Sequence, residues 1–421
     1  MRFDKINIKL CKEVFALKFL AVLIVLFIGA YKIALNVVRY RSANNPTPEC
    51  VSDVYDAETY KKWKKYGAEH SVLSIISDAA TCILTILLLV LEVYASFASL
   101  FPGGQFMQLF AVVLYESFIS LLVNTTVDYI RIMGIEEKYG FNRSTLKTFI
   151  TDKVRELLVN LILTLSLALG LWLMHKAFEN WLIILFACVV FGFSIGITFL
   201  YPVFSRIGNK FTPLEDGDLK DRLMELLTKH GYRVKAIEVM DASRRTTKSN
   251  AYFTGFGKLK TIVLYDNLVN NMTPDEICAV FAHELGHGLH KDVPKLQVLN
   301  FGNLLLMSLV VWFTVKSPEL HVAFGFSGVN YGFALILSSL GLGLIQPLTG
   351  MAINAISRRA EFRADKLAIE EGYGEALITA LKKLCRDNFS HLAPSRVNVI
   401  LEYSHPPIAE RVKAIDEEIK K

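Results

Sequence analysis

Residues Thr273–Asp292 read TPDEICAVFAHELGHGLHKD. Thr273 suits a helix N-cap, Pro274 suits the first helical position, and Glu276 completes a capping box, so a helix starts here. Within that helix His283 and His287 lie four residues apart on one face, with Glu284 beside them. Two imidazoles presented to a single ion, with an adjacent carboxylate, are what a hydrolytic zinc site requires. The metal is a Lewis acid that lowers the pKa of a bound water, and the carboxylate takes that water's proton. A buried core histidine would explain either imidazole singly. It does not explain both, with the Glu at this register and Gly286 between them.

On both sides of this helix the chain is apolar. It has 421 residues, of which 52% are hydrophobic, and a mean hydropathy of +0.37. Several uncharged runs are long enough to cross a bilayer. The net charge of +6 is dispersed. No basic stripe or nucleic-acid-binding module is present, so no nucleic-acid partner is expected. Six cysteines, Cys11, Cys50, Cys82, Cys188, Cys278 and Cys385, form no C-x-x-C pair and no disulfide framework, so they are expected to be reduced, buried and structural.

The expected fold is mainly α: a polytopic membrane protein with seven transmembrane helices and a small α+β zinc-protease insertion carrying the HExxH helix. Five spans fall within 1–204, at about Phe15–Val38, Val72–Leu100, Phe106–Val127, Leu157–Met174 and Trp181–Phe204. The first run extends past a signal-peptide h-region and lacks a small-residue cleavage site, so it is read as a retained span. Arg39–His70 and Arg131–Arg155 read as polar and charged loops. The catalytic insertion occupies 205–295. In it Leu219–His230 has helical periodicity, and Ala236–Met240, Ala251–Phe256 and Thr261–Tyr265 read as strands. The last two form a hairpin through Gly255, Gly257 and Lys258, leading into the HELGH helix. Two further spans occupy 296–357, and 358–421 is a C-terminal catalytic segment. The loops after spans one and three are rich in Lys and Arg, whereas those after spans two, four and six carry none or one. This places the odd-numbered loops, and with them the insertion and the C-terminal tail, on the cytosolic side. The basic N-terminal tail runs against that orientation. Four N-x-S/T sequons, at Asn124, Asn142, Asn271 and Asn388, are expected to carry no glycans.

A catalytic zinc takes three protein ligands and leaves one position for water. His290 is one candidate for the third. It would string three ligands along one helix axis instead of converging them on an ion. Glu361, in ISRRAEFRADKLA directly after the seventh span, is the other and is preferred. Asp365, four residues on, could accept the second N–H of a ligand histidine and fix its tautomer.

HELGH, the E-x-x-x-D at Glu361 and Asp365 within RRAEFRADKLA, and SHPPIAER at Ser404–Arg411 resemble the type I CAAX prenyl endopeptidases, integral membrane zinc proteases. EEKYGFNRST at Glu136–Thr145, SNAYFTGF at Ser249–Phe256 and the seven spans extend the resemblance over nearly the whole chain. It implies one zinc per chain on His283, His287 and Glu361, with Glu284 as general base and Asp365 supporting the site. It also implies an edge strand at Asn250 and Ala251 that pairs with the extended substrate. His405 and Arg411 would line the site and stabilise the oxyanion. The implied substrate is a prenylated CaaX protein or peptide, which loses its last three residues in the membrane lipid environment. A monomer in the endoplasmic reticulum, extending to the inner nuclear membrane, is expected. The family's large aqueous intramembrane chamber would accommodate Asp78, Glu92 and Glu116. An alternative reading is a membrane quality-control zinc protease of the bacterial heat-shock kind, which shares HELGH and the distal Glu. Those proteins have fewer spans. A transport protein with a structural zinc would require a closed set of four ligands.

Overall fold

The computed structural model describes residues 2–206, 209–254 and 261–421. The membrane part is built from α1 (Arg2–Ser42), α2 (Ala57–Val90), α3 (Gly104–Tyr129), α4 (Leu146–Phe178) and α5 (Leu182–Phe204). Between α5 and the next span lie β1 (Phe211–Pro213), α6 (Asp218–Lys229), β2 (Ala236–Met240), β3 (Ala251–Thr254), β4 (Thr261–Tyr265) and α7 (Pro274–Leu289). Two further long helices, α8 (Asp292–Lys316) and α9 (Tyr331–Glu370), precede the C-terminal helices α10 (Gly374–Asp387), α11 (Arg396–Glu402) and α12 (Ile408–Ile419).

Among the described residues six helices are long and apolar enough to cross a membrane: α1 from Lys12, α2, α3 with its extension to Glu136, α4, α8 and α9. The fifth expected span is the apolar helix α5, and its stretch Leu182–Ile197 is shorter than the rest. The count is therefore six full spans and one shorter apolar helix in place of seven equal ones.

Two expected loops are largely helical. The lysine-rich segment before His70 belongs to α2, because Asp56 caps it by accepting from the Thr59 N–H at 2.7 Å. The residues that follow, AETYKKWKKYGAEH, are mostly good helix formers. Residues Ile130–Glu136 continue α3 as a π-helical turn, and α4 begins at Leu146 under a Thr145 cap. Charged residues there continue the helices and pair within the protein, as Lys138 does with Glu69 and Lys153 with Asp128. The boundary expected between 357 and 358 falls inside α9, so the last span and the Glu361 segment form one continuous helix.

The sheet has the order β1-β2-β4-β3. β4 pairs parallel with β2, setting Ile237 beside Ile262, and antiparallel with β3, setting Ala251 beside Leu264. β3 is thus an edge strand, as expected. The turn residues Gly255, Gly257 and Lys258 lie outside the described residues. β1 was not anticipated, being three residues long. α7 packs on the sheet through a core that includes Ile237, Ile262, Leu264, Ile277, Phe281 and Leu285, with Leu367 of α9 and Ile415 of α12 closing it. This core places the HELGH helix against α9. Among the described cysteines none is disulfide-bonded; Cys278 and Cys385 are buried, while Cys188 is exposed.

Candidate active site

α7 starts where its capping signals place it. Thr273 Oγ1 accepts from the Glu276 N–H at 3.3 Å, and the Thr273 N–H donates to Glu276 Oε2 at 2.8 Å. Starting the helix here puts His283, Glu284 and His287 on the side facing α9. The close approach depends on Gly286, because a Cβ there would lie 2.8 Å from the Cα of Ala364. Across that contact Glu361 Oε2 stands 3.5 Å from His283 Nε2, and Glu361 Oε1 stands 3.3 Å from His287 Nε2. One donor atom from each of these three residues lies within 4.8 Å of the others, a spacing that a single metal ion fits. Glu361 Oε2 is buried and has no hydrogen-bond partner in the protein. A buried carboxylate oxygen that makes no hydrogen bond, with its cationic neighbours standing off at 3.4 and 3.5 Å, is costly. Coordination to a cation would satisfy it, so the residues present fit the metal that the sequence implies.

Carboxylates and arginines surround this group. Asp365 Oδ1 lies 2.8 Å from His283 Nδ1. The buried Arg411 holds Asp365 with two donors, Nε at 2.9 Å and Nη2, while its Nη1 stands 3.4 Å from Glu361 Oε2. His405 Nε2 lies 3.3 Å from Glu361 Oε1, and its Nδ1 lies 2.9 Å from the Ser404 hydroxyl. Glu284 is half-buried, and desolvation pushes its carboxyl up from its ordinary value. That shift favours a group able to hold and release a proton.

His290, the rival third ligand, does not join the group. It is exposed at the C-cap of α7, and its Nδ1 lies 2.8 Å from the Gly286 carbonyl. Asn250 lies just before β3, and its side-chain Oδ1 accepts from the Ala251 N–H at 2.9 Å, while Ala251 packs against the core that carries α7. Of the intramembrane acids, Asp78 lines a cavity of about 900 Å³ together with Lys32, Asn36, Arg39 and Arg131. Glu116 borders a cavity of about 280 Å³ and accepts from Tyr94 Oη at 2.6 Å. Glu92 pairs with Lys18 Nζ at 2.5 Å.

Two groups near the site, Asp292 and Arg358, were missed by sequence reasoning. The buried Asp292 lies 3.1 Å from His287 Nδ1 and accepts from Arg363 at 2.8 Å. Arg358 donates to the carbonyls of Val399 at 2.9 Å and Tyr403 at 2.6 Å, tethering the segment that carries His405. Asp292 and Arg358 both lie inside the quoted motifs. Only their spacing to a histidine or a loop carbonyl in space, not in sequence, identifies them.

Residues 36–206 match the model for the CAAX prenyl protease N-terminal region with five membrane helices. Residues 213–419 match that of peptidase family M48. An Arabidopsis thaliana CAAX prenyl protease 1 homolog is 35% identical, with 68% of each chain covered. The Saccharomyces cerevisiae CAAX prenyl protease 1 is 31% identical over 88% of each chain. The crystal structure of S. mikatae Ste24p superposes with a TM-score of 0.87 at 27% identity, covering 95% of this chain and 99% of that one. These matches follow the same division seen in the structure, an N-terminal set of membrane helices and a C-terminal unit built around α7 and α9. The chain is a multi-pass membrane metallopeptidase and belongs to the CAAX prenyl protease family of M48 peptidases.

Proposed function

We propose that this chain is a zinc endopeptidase that removes the last three residues from prenylated C-terminal CaaX segments. The observation that carries the reading is the convergence of His283, His287 and Glu361, whose buried Oε2 has no hydrogen-bond partner, next to Glu284, in a chain of this family. Zinc bound by these three residues would supply a Lewis acid and lower the pKa of a coordinated water. Glu284 then takes the proton of the attacking water and returns it to the leaving amine. The extended substrate adds to the free edge of β3 at Asn250 and Ala251, which holds the scissile bond in register. In the tautomer in which Nδ1 accepts from the Ser404 hydroxyl, His405 carries its hydrogen on Nε2, beside Glu361, where it would serve as a donor for the oxyanion. Arg411 spends its donors on Asp365 and Glu361, so it acts by holding those carboxylates and by lending positive charge to the site.

The lipid of the substrate accounts for the membrane setting, because a prenyl chain partitions into the bilayer. The charge bias of the loops puts the site on the cytosolic side. We place the protein in the endoplasmic reticulum membrane and expect it to act as a monomer without nucleic-acid partners. The test is release of the tripeptide from a farnesylated peptide by the purified protein. Glu284→Gln should lower kcat by at least about a hundredfold, as loss of a general base does, and the unprenylated peptide should be a poor substrate. Unchanged turnover by Glu284→Gln would sink the reading.

A further inference from the structure

We infer that Asp292 is a positioning residue for His287, clamped in place by Arg363, and that it governs how tightly the site holds its metal. The inference rests on the zinc reading above and concerns the part of the site that reading leaves unsupported. His287 presents Nε2 to Glu361 at 3.3 Å, which leaves Nδ1 as the nitrogen that must be oriented from behind. Asp365 cannot do this, because its oxygens are engaged by His283 Nδ1 and by Nε and Nη2 of Arg411. The group within reach of His287 Nδ1 is Asp292 Oδ2, at 3.1 Å.

The backbone is shaped to bring it there. α7 ends at Leu289, and Lys291 adopts a left-handed conformation with φ 54° before α8 begins at Asp292. A lysine pays a steric cost at positive φ. The turn it makes folds Asp292 back toward a histidine five residues earlier, which a continuous helix would not allow. Asp292 is 4% exposed, and a carboxylate at that depth needs partners. Its Oδ1 accepts from Arg363 Nη2 at 2.8 Å, with Lys295 Nζ more distant at 3.9 Å. Arg363 lies between Glu361 and Asp365 on α9. Each candidate histidine ligand therefore has its own carboxylate, and each carboxylate its own arginine: His283 with Asp365 and Arg411, His287 with Asp292 and Arg363. A carboxylate accepting the Nδ1–H fixes the tautomer with Nε2 free to ligate and raises its basicity.

A simpler account gives Asp292 only the favourable position of an acid in the first turn of α8. The two accounts separate on metal release. Full-length protein in detergent is loaded with zinc, its zinc content measured, and first-order transfer to a chromophoric chelator followed. Asp292→Ala should release zinc about tenfold to a hundredfold faster than the native chain, the usual effect of losing such a partner. Its melting temperature in excess zinc should stay near native. Asp292→Asn, which keeps an acceptor oxygen but loses the charge, should fall between. Arg363→Ala removes the clamp at a partly exposed side chain and should also speed release, with Arg363→Lys restoring part of the loss. Native release rates in Asp292→Ala would overturn the inference while leaving the zinc assignment standing. If Asp292→Ala cannot be purified folded, Arg363→Ala decides, and a native rate there overturns it equally. A native chain that binds no zinc overturns both readings.

Discussion

Gly286 lies between the two histidines of HELGH, and the atom it would strike hardest if it carried a side chain is a backbone atom. A Cβ there would meet Ala364 Cα at 2.8 Å and Ala364 O at 3.3 Å. Backbone on a long helix cannot swing aside as a flexible side chain can, so Gly286→Ala must push α9 away from α7. Overpacking of this kind costs about 1–3 kcal/mol. Glu361 lies three residues before Ala364 on the same helix, so the shift should also weaken metal retention. We expect Gly286→Ala to lower both the melting temperature and the zinc content, read by thermal denaturation and metal analysis on the same preparation. Native values of both would mean that the helices have room to spare. At this scale the candidate site was legible where its spacing is helical: four residues for His283 and His287, four for Glu361 and Asp365. Asp292 was not, because its reach to His287 depends on one left-handed residue, Lys291, that no periodicity announces.

The edge strand β3 is held in place from outside the sheet. Its lead-in is bridged to the segment EEKYGFNRST: Asn142 pairs with Thr246, and the Arg143 N–H donates to the Arg245 carbonyl at 3.0 Å. Asn267 Nδ2 donates to the carbonyls of Thr246 at 2.8 Å and Lys248 at 3.2 Å, and Asn388 Nδ2 donates to the Ser249 carbonyl at 3.3 Å. Lys248 Nζ reaches Glu136 at 3.2 Å, and Glu136 in turn accepts from Tyr66 Oη at 2.7 Å. The membrane helices α2 and α3 thus hold the strand proposed to receive the substrate. Asn267→Ala leaves two carbonyls short of a donor, at a cost of about 1–3 kcal/mol where they are buried. Because the defect lies in the strand and not at the reacting atoms, we expect KM for a farnesylated peptide to rise severalfold with kcat little changed. Steady-state kinetics would show this, and an unaltered KM would detach β3 from substrate binding. The strands β2, β3 and β4 were legible because their residues are largely β-branched and aromatic, and the β3–β4 pairing because two such runs flank a glycine-rich link. The parallel pairing of β2 with β4 was not, since it is set by the helix-packed core and not by any turn. The charged stretches read as loops were helical because Lys, Glu and Ala favour helix once an Asp or Thr cap is present.

Across the whole molecule, the three candidate metal ligands come from a soluble helix and from the end of a membrane rod, with α8 and the connection to α9 between them. The apolar runs gave away the rods, and the proposed orientation rests on loop charge. How α12 returns to set Arg411 on Asp365 could not be read from sequence, because nothing in a chain records which distant surfaces meet. An ion held by both parts would act as a crosslink between the soluble unit and the membrane bundle. Binding to the folded state alone stabilises it by RT ln(1 + [L]/Kd), about 4 kcal/mol when free metal is a thousandfold above Kd. Removing zinc with a chelator should therefore lower the melting temperature of the purified chain, and restoring zinc should return it. Glu361→Gln takes a charged ligand from the α9 side and should abolish most of that zinc dependence. Glu375→Gln, an exposed acid on α10, should leave it intact. A Glu361→Gln variant whose melting point still follows zinc as the native chain does would show that the two parts are not joined through this carboxylate.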